Sequence, residues 1–228
     1  MTVHATRIDA SSEVQHLTFP TSSKYFGFYG SAFKRLLDVT LVLIAVPFLA
    51  PFFVIIGVVI FSKDRHSPFF LQERIGRNGK RFRMWKFRTM VPNAEAQLQR
   101  HLDENPKARA EWDSKQKLAS DPRCTKIGKL LRRSSMDELP QLLNVLMGDM
   151  SLVGPRPMMP DQQALYPGQG YYRLRPGMTG SWQVSARSAS TFAARAGYDD
   201  TYEQSLSFSN DVSIVAKTVG VVLRGTGV

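Results

Sequence analysis

VTLVLIAVPFLAPFFVIIGVVIF, residues Val39 to Phe61, is an uncharged run of 23 positions that holds two prolines, Pro47 and Pro51, and is flanked by cations at both ends. As a helix it would rise about 34 Å against a hydrocarbon core of about 30 Å, so by length alone it spans a bilayer. Lys34 and Arg35 precede the run and Lys63 and Arg65 follow it. Basic flanks stay on the cytoplasmic side, so both ends are expected there. Proline donates no backbone hydrogen bond and clashes with the preceding turn; two of them four residues apart predict a kink or break. The segments Leu36 to Ala50 and Phe52 to Phe61 are each too short to cross. They are expected to enter and leave one leaflet as a re-entrant hairpin. Asp38 lies one turn from Lys34 and Arg35 and is expected to pair with them at the interface. The run begins too late, and lacks the small-residue pattern, for a cleaved signal peptide.

Around this anchor the chain has room for one globular domain. Its mean hydropathy of -0.20 over 228 residues is too polar for many spans. The expected division is a tail over 1–30, the membrane hairpin over 31–62 and a catalytic domain over 63–228. The net charge of +11 calls for an anionic partner, a lipid surface, a nucleotide or a nucleic acid. The single cysteine, Cys124, excludes an internal disulfide framework, and the four histidines show no zinc-ligand spacing.

Between Lys63 and Arg88 nine Lys or Arg face two acidic residues, with aromatics interleaved. This is either a solvated face beside anionic headgroups or a phosphate-recognising surface. Asn78-Gly79 predicts a hairpin turn between two extended stretches. Alternation in Lys86-Phe87-Arg88 then puts both cations on one face. Ala94 to Leu118 reads as one or two polar surface helices.

Apolar residues at 139, 142, 143 and 146 predict a helix, and Pro140, tolerated only in a first turn, sets its start near Asp137 or Glu138. Two carboxylates at a helix start are often mere caps: Asp137 as N-cap, or Ser135 with Glu138 as a capping box. The alternative is that one caps and the other points into a site. There an ionised carboxylate can attack phosphorus or bind a hard divalent cation. Met150 to Pro157 reads as a short strand ending in a rigid Pro-Arg-Pro turn that presents Arg156. Arg173 to Gln183 adds a glycine-rich turn with two more cations.

Taken in order, Arg74-Ile75-Gly76 with Asn78-Gly79, Lys86 to Met90, Asp121-Pro122-Arg123, Asp137-Glu138-Leu139-Pro140-Gln141, Gly154 to Pro157, and Arg175-Pro176-Gly177 through Gly180 resemble the bacterial sugar transferases, the monotopic phosphoglycosyl transferases. The resemblance covers roughly residues 33 to 225. It implies an enzyme that moves a hexose-1-phosphate from a UDP-hexose, galactose or glucose, to undecaprenyl phosphate and releases UMP, as the first step of exopolysaccharide repeat-unit assembly. It implies Asp137 as the nucleophile of a covalent phosphosugar intermediate, Glu138 as base or metal-positioning group, Mg²⁺ held by Asp137 and Glu138, and phosphate contacts from Lys86, Arg88, Arg156 and Arg175. The place implied is the cytoplasmic face of the bacterial inner membrane, with anionic lipid as a further partner and no nucleic acid; oligomeric state stays open, a homodimer included. Two departures stand out. Ala50 rather than serine precedes Pro51, and Ala186-Arg187-Ser188 replaces the Gly-Arg-Asn of many relatives. The expected fold is α/β, membrane-associated, with a helix-rich catalytic domain and one short antiparallel hairpin. The competing reading is an anchored basic module that binds lipid or nucleic acid without catalysis. It leaves the acidic pair and the Pro-Arg-Pro turn unexplained.

Overall fold

The structure, a computed structural model, describes residues 29–115, 118, 121–185 and 192–223. Ala186 to Ser188 lie outside them. After one wide turn at Tyr29–Phe33, helix α1 runs from Lys34–Asp64 and contains both prolines. The halves expected on either side of Pro47 and Pro51 are therefore one element with no intervening turn. Neither proline can donate its backbone bond, to the carbonyls of Leu43 and Pro47, yet the helix continues through both. It is long and apolar enough to cross a membrane. Its middle is bare: Phe48 is 73% exposed, and Leu43, Ile44, Phe52 and Ile55 are exposed as well.

Both ends of α1 are fastened to the globular part. Near the start, Arg35 donates to the carbonyls of Val145 and Leu146 at the end of helix α5 (Gln141–Met147), where a cation is favoured by the helix dipole. Asp38 does not pair with Lys34 and Arg35 as expected. It is buried and accepts from the Ser151 hydroxyl at 2.7 Å and the Leu152 amide at 3.1 Å, while Lys34 pairs with Asp211. The cause is tertiary, since an amide and a hydroxyl at that position need an acceptor. Val42 packs with Met84, Val145 and Met150. At the other end Phe53, Ile56 and Ile60 pack on Phe87 and Leu131, and Arg88 forks onto Asp64 at 2.7 and 2.6 Å.

Strands β1 (Phe69–Ile75) and β2 (Arg81–Phe87) form the expected antiparallel hairpin. Asn78 and Gly79, at φ 58° and 72°, supply the left-handed backbone its turn requires. Helices α2 (Ala94–Glu104) and α3 (Pro106–Lys115) form an arm with its own apolar cluster of Leu98, Leu102, Ala108 and Leu118. The arm leaves and rejoins the body at one point, where Val91 and Thr125 donate to the carbonyls of Arg123 and Thr89. Helix α4 (Lys126–Arg133) follows, capped by the Thr125 hydroxyl.

Beyond α5, strands β3 (Ser151–Val153) and β4 (Gly177–Thr179) pair in parallel, with helix α6 (Gly170–Arg173) between them. Helices α7 (Ser181–Ser185), α8 (Arg195–Gln204) and α9 (Phe208–Leu223) are the last elements among the described residues. α9 is tied back to the start of α1, because Asp211 accepts from Tyr29, Lys34 and Tyr202. The architecture is mostly helical with two two-stranded sheets, so the expected α/β class narrows to a helical body carrying small sheets. β3 and β4 are three residues each and pair only with one another, so they do not build the extended parallel sheet of an α/β fold.

Candidate active site

The acidic pair does not start α5. Met136–Glu138 form a separate 3₁₀ turn, Pro140 is the helix N-cap, and neither the Asp137 cap nor the Ser135–Glu138 capping box is made. Ser135 sits at φ 57°, in the left-handed region, and so turns the chain sharply out of α4 before the carboxylates. The pair is displaced because Pro140 fixes the chain one turn too late for either carboxylate to reach the first free amides of α5. Both side chains are thereby released from capping.

Their surroundings differ. Asp137 is 8% exposed, and among the described residues no ion pair closes on it. Burial pushes its pKa up, Lys86 opposes that rise, and the neighbouring Glu138 adds to it. Glu138 accepts from Lys86 Nζ at 3.0 Å. Burial alone would raise its pKa, yet the cations Lys86, Arg156 and Arg74 outweigh this and hold it below the ordinary range. One carboxylate is thus kept available while its neighbour is held ionised in a nest of cations.

Those cations come from separate elements. Lys86 is on β2, with Phe87 buried on the opposite face as alternation predicted. Arg156 sits on the turn after β3, whose backbone is clamped by Gly154 N to Thr179 O and Gly177 N to Pro155 O, both 2.8 Å. A Cβ on Gly154 would lie 2.4 Å from the Arg175 carbonyl, so only glycine admits this approach. Arg74, on β1, donates to the Pro157 carbonyl at 3.3 Å; burial and Arg156 bring its pKa down to about 10. Arg132, at the end of α4, acts on Asp137 and donates to the Thr89 hydroxyl at 2.9 Å.

Two expected phosphate contacts lie elsewhere. Arg88 is committed to Asp64, because β2 ends at Phe87 and the next side chain turns toward the end of α1. Arg175 donates to the Gly148 carbonyl at 3.0 Å and neighbours Arg35, Arg77 and Asp38, near the start of α1. Arg74 and Arg132 were missed as site residues. Arg74 carried a signal, since it opens the first of the ordered motifs and lies on the strand that pairs with Lys86's strand; Arg132 carried none beyond a basic stretch.

Among the described residues no three His, Cys, Asp or Glu side chains group as a metal site, so Asp137 and Glu138 are the candidate carboxylates for a metal ion here. That donor set fits Mg²⁺, which is commonly held by one or two carboxylates together with substrate phosphates rather than by an all-protein cage.

The family described as bacterial sugar transferase matches residues 29–225. The chain is 44% identical to the exopolysaccharide production protein ExoY of Sinorhizobium fredii, across 87% of this chain and 88% of that one. It is 44% identical to a UDP-galactose-lipid carrier transferase of Erwinia amylovora and 45% identical to an undecaprenyl-phosphate galactose phosphotransferase of Salmonella typhimurium, over 85% and 73% of this chain. It spans only 41% and 35% of those two longer proteins.

Proposed function

Because the chain belongs to the bacterial sugar transferase family, we propose that it transfers a hexose-1-phosphate from a UDP-hexose, galactose or glucose, to undecaprenyl phosphate, opening exopolysaccharide repeat-unit assembly. The observation that carries this reading is the pairing of a buried carboxylate, Asp137, on which no ion pair closes among the described residues, with a second carboxylate set among Lys86, Arg74 and Arg156. A dianionic diphosphate fits beside those cations, and a nucleophile stands next to it.

In the first step an Asp137 oxygen attacks the sugar-bearing phosphorus. A new P–O bond forms, the bond to the UMP oxygen breaks, and UMP leaves with that electron pair. In the second step an oxygen of undecaprenyl phosphate attacks the same phosphorus and Asp137 leaves as carboxylate, giving undecaprenyl diphosphate hexose. Lys86, Arg74 and Arg156 hold phosphate oxygens in place and offset the charge that develops on them. Glu138 keeps Lys86 oriented and assists the incoming acceptor in this reading. Mg²⁺, held by Asp137 and Glu138, would neutralise diphosphate charge when bound.

The re-entrant geometry belongs to the same proposal. Arg35 and Asp38 tie the start of α1, and Asp64 ties its end, to one globular body, while the apolar middle around Phe48 projects bare. A helix dipping into one leaflet of the inner membrane from the cytoplasmic face satisfies all three facts, with the basic surface against anionic headgroups. The testing experiment is UMP release by purified protein given UDP-galactose or UDP-glucose, Mg²⁺ and undecaprenyl phosphate. UMP from the wild type and none from Asp137→Asn is expected; UDP as the product overturns the reading in favour of glycosyl transfer.

A further inference from the structure

Arg195, the first residue of α8, is a buried cation with no part in the chemistry above. It is 4% exposed, its guanidinium carbon lies 5.0 Å from the Trp182 ring and 4.8 Å from the Phe192 ring, and its terminal nitrogen donates to the Arg156 carbonyl at 2.5 Å. Its Nε is buried and has no hydrogen-bond partner among the described residues. Removing a guanidinium from water is costly, and a short bond to a neutral carbonyl does not by itself offset that. Asp199, one helical turn along α8, supplies counter-charge, but its own hydrogen bond comes from the Tyr166 hydroxyl at 2.8 Å.

What Arg195 holds is informative. Arg156 is the one residue of its turn whose side chain must stay available while its backbone is fixed. Gly154 and Pro155 are held by the β4 segment and Pro157 by Arg74, whereas the Arg156 carbonyl has Arg195. The two rings leave the guanidinium little room to swing, so the carbonyl is fixed from a rigid point. Fixing a peptide plane fixes the direction in which its own side chain departs.

We propose that Arg195 is a positioning residue: through the Arg156 carbonyl, and braced between Trp182 and Phe192, it aims the Arg156 guanidinium at the diphosphate of the sugar nucleotide beside Glu138. The inference rests on the function proposed above for the place of Arg156, and adds an element, α8, to the support of that turn.

The experiment compares wild type, Arg195→Met, Arg195→Lys, Arg156→Met and the Arg156→Met/Arg195→Met double variant as full-length protein in detergent. It measures UMP release, binding of pyrophosphate by calorimetry, and melting temperature. Loss of a hydrogen bond from a charged donor predicts about a 10- to 100-fold fall in kcat/KM and in pyrophosphate affinity for Arg195→Met, and a smaller fall for Arg195→Lys, which keeps charge and donor but not the fork. The decisive reading is the cycle. If Arg195 works through Arg156, the double variant is no worse than Arg156→Met alone, in binding and in turnover. Multiplying losses at unchanged melting temperature overturn the inference, as do losses that merely follow a lowered melting temperature. Wild type that binds no pyrophosphate overturns it too. Wild type that binds pyrophosphate with the predicted coupling, yet releases no UMP, upholds the aiming role and removes the transferase reading.

Discussion

The turn Met136–Glu138 and the turn Gly154–Pro157 carry opposite charges of one site and are built in opposite ways. The acidic turn is made locally: Glu138 and Leu139 amides bond back to Ser135 and Met136 carbonyls, and Ser135 alone takes the unusual φ. The arginine turn is made from afar, by Thr179, Gly177, Arg74 and Arg195, residues as many as 83 positions away along the chain (157 to 74). A nucleophile needs only freedom and an environment, which a short turn provides. A phosphate clamp needs a fixed direction, which several elements must supply together.

The largest expected effect removes the purpose of the acidic turn. Asp137→Asn lowers UMP release by at least about a thousandfold, while pyrophosphate binding, which depends on the cations, persists. Next comes the arginine turn: Arg156→Met lowers kcat/KM by about a hundredfold. Gly154→Ala is expected to do comparable harm without touching any charge, because its Cβ would lie 2.4 Å from the Arg175 carbonyl. The matching backbone change in the acidic turn, Ser135→Gly, is expected to leave kcat within about twofold, since glycine accepts φ 57° without strain. If Gly154→Ala is tolerated and Ser135→Gly is not, the contrast between the two turns is wrong.

A pH profile sharpens the comparison further. In the proposed mechanism Asp137 acts as carboxylate, so activity is expected above its pKa and is lost as pH falls through it; because burial raises that pKa, the acid limb is expected above the ordinary Asp range. Lys86 is the strongest influence opposing the rise. In Lys86→Met the limb should therefore move to higher pH, a direction that loss of phosphate contact alone would not produce. The smallest expected effect is that of Arg88→Met. Paired with Asp64 rather than set at the site, Arg88 should matter less to kcat/KM than Lys86, two residues before it. A loss as large as that of Lys86→Met would return Arg88 to the phosphate site.

Much of the site was legible because its carriers are local patterns. Asp137-Glu138 before a proline-started apolar repeat, Lys86 in an alternating strand and Arg156 between two prolines each announce themselves within a few residues. The hairpin over Phe69 to Phe87 and the two helices after Ala94 follow from a turn dipeptide and from polarity. What misled was proximity in sequence: Arg88 lies two residues from Lys86, and Arg175 lies in a glycine-rich turn, yet partners contributed by α1 and by the end of α5 claim both. Asp38 failed in the same way, since its nearest cations in sequence were taken by Asp211 and by carbonyls of α5.

By itself the sequence determined the long apolar helix, the net positive charge, the hairpin turn and the acidic pair and basic turn that make up the candidate site, because hydrophobic length, net charge and dipeptide turn preferences act over one or a few turns of chain. The tertiary structure decided which cations reach the carboxylates and that both ends of α1 fasten to one body. It also decided that Arg195 braces Arg156 from 39 residues away (195 to 156). Those assignments depend on desolvation and on competition for partners, and neither exists until distant segments pack.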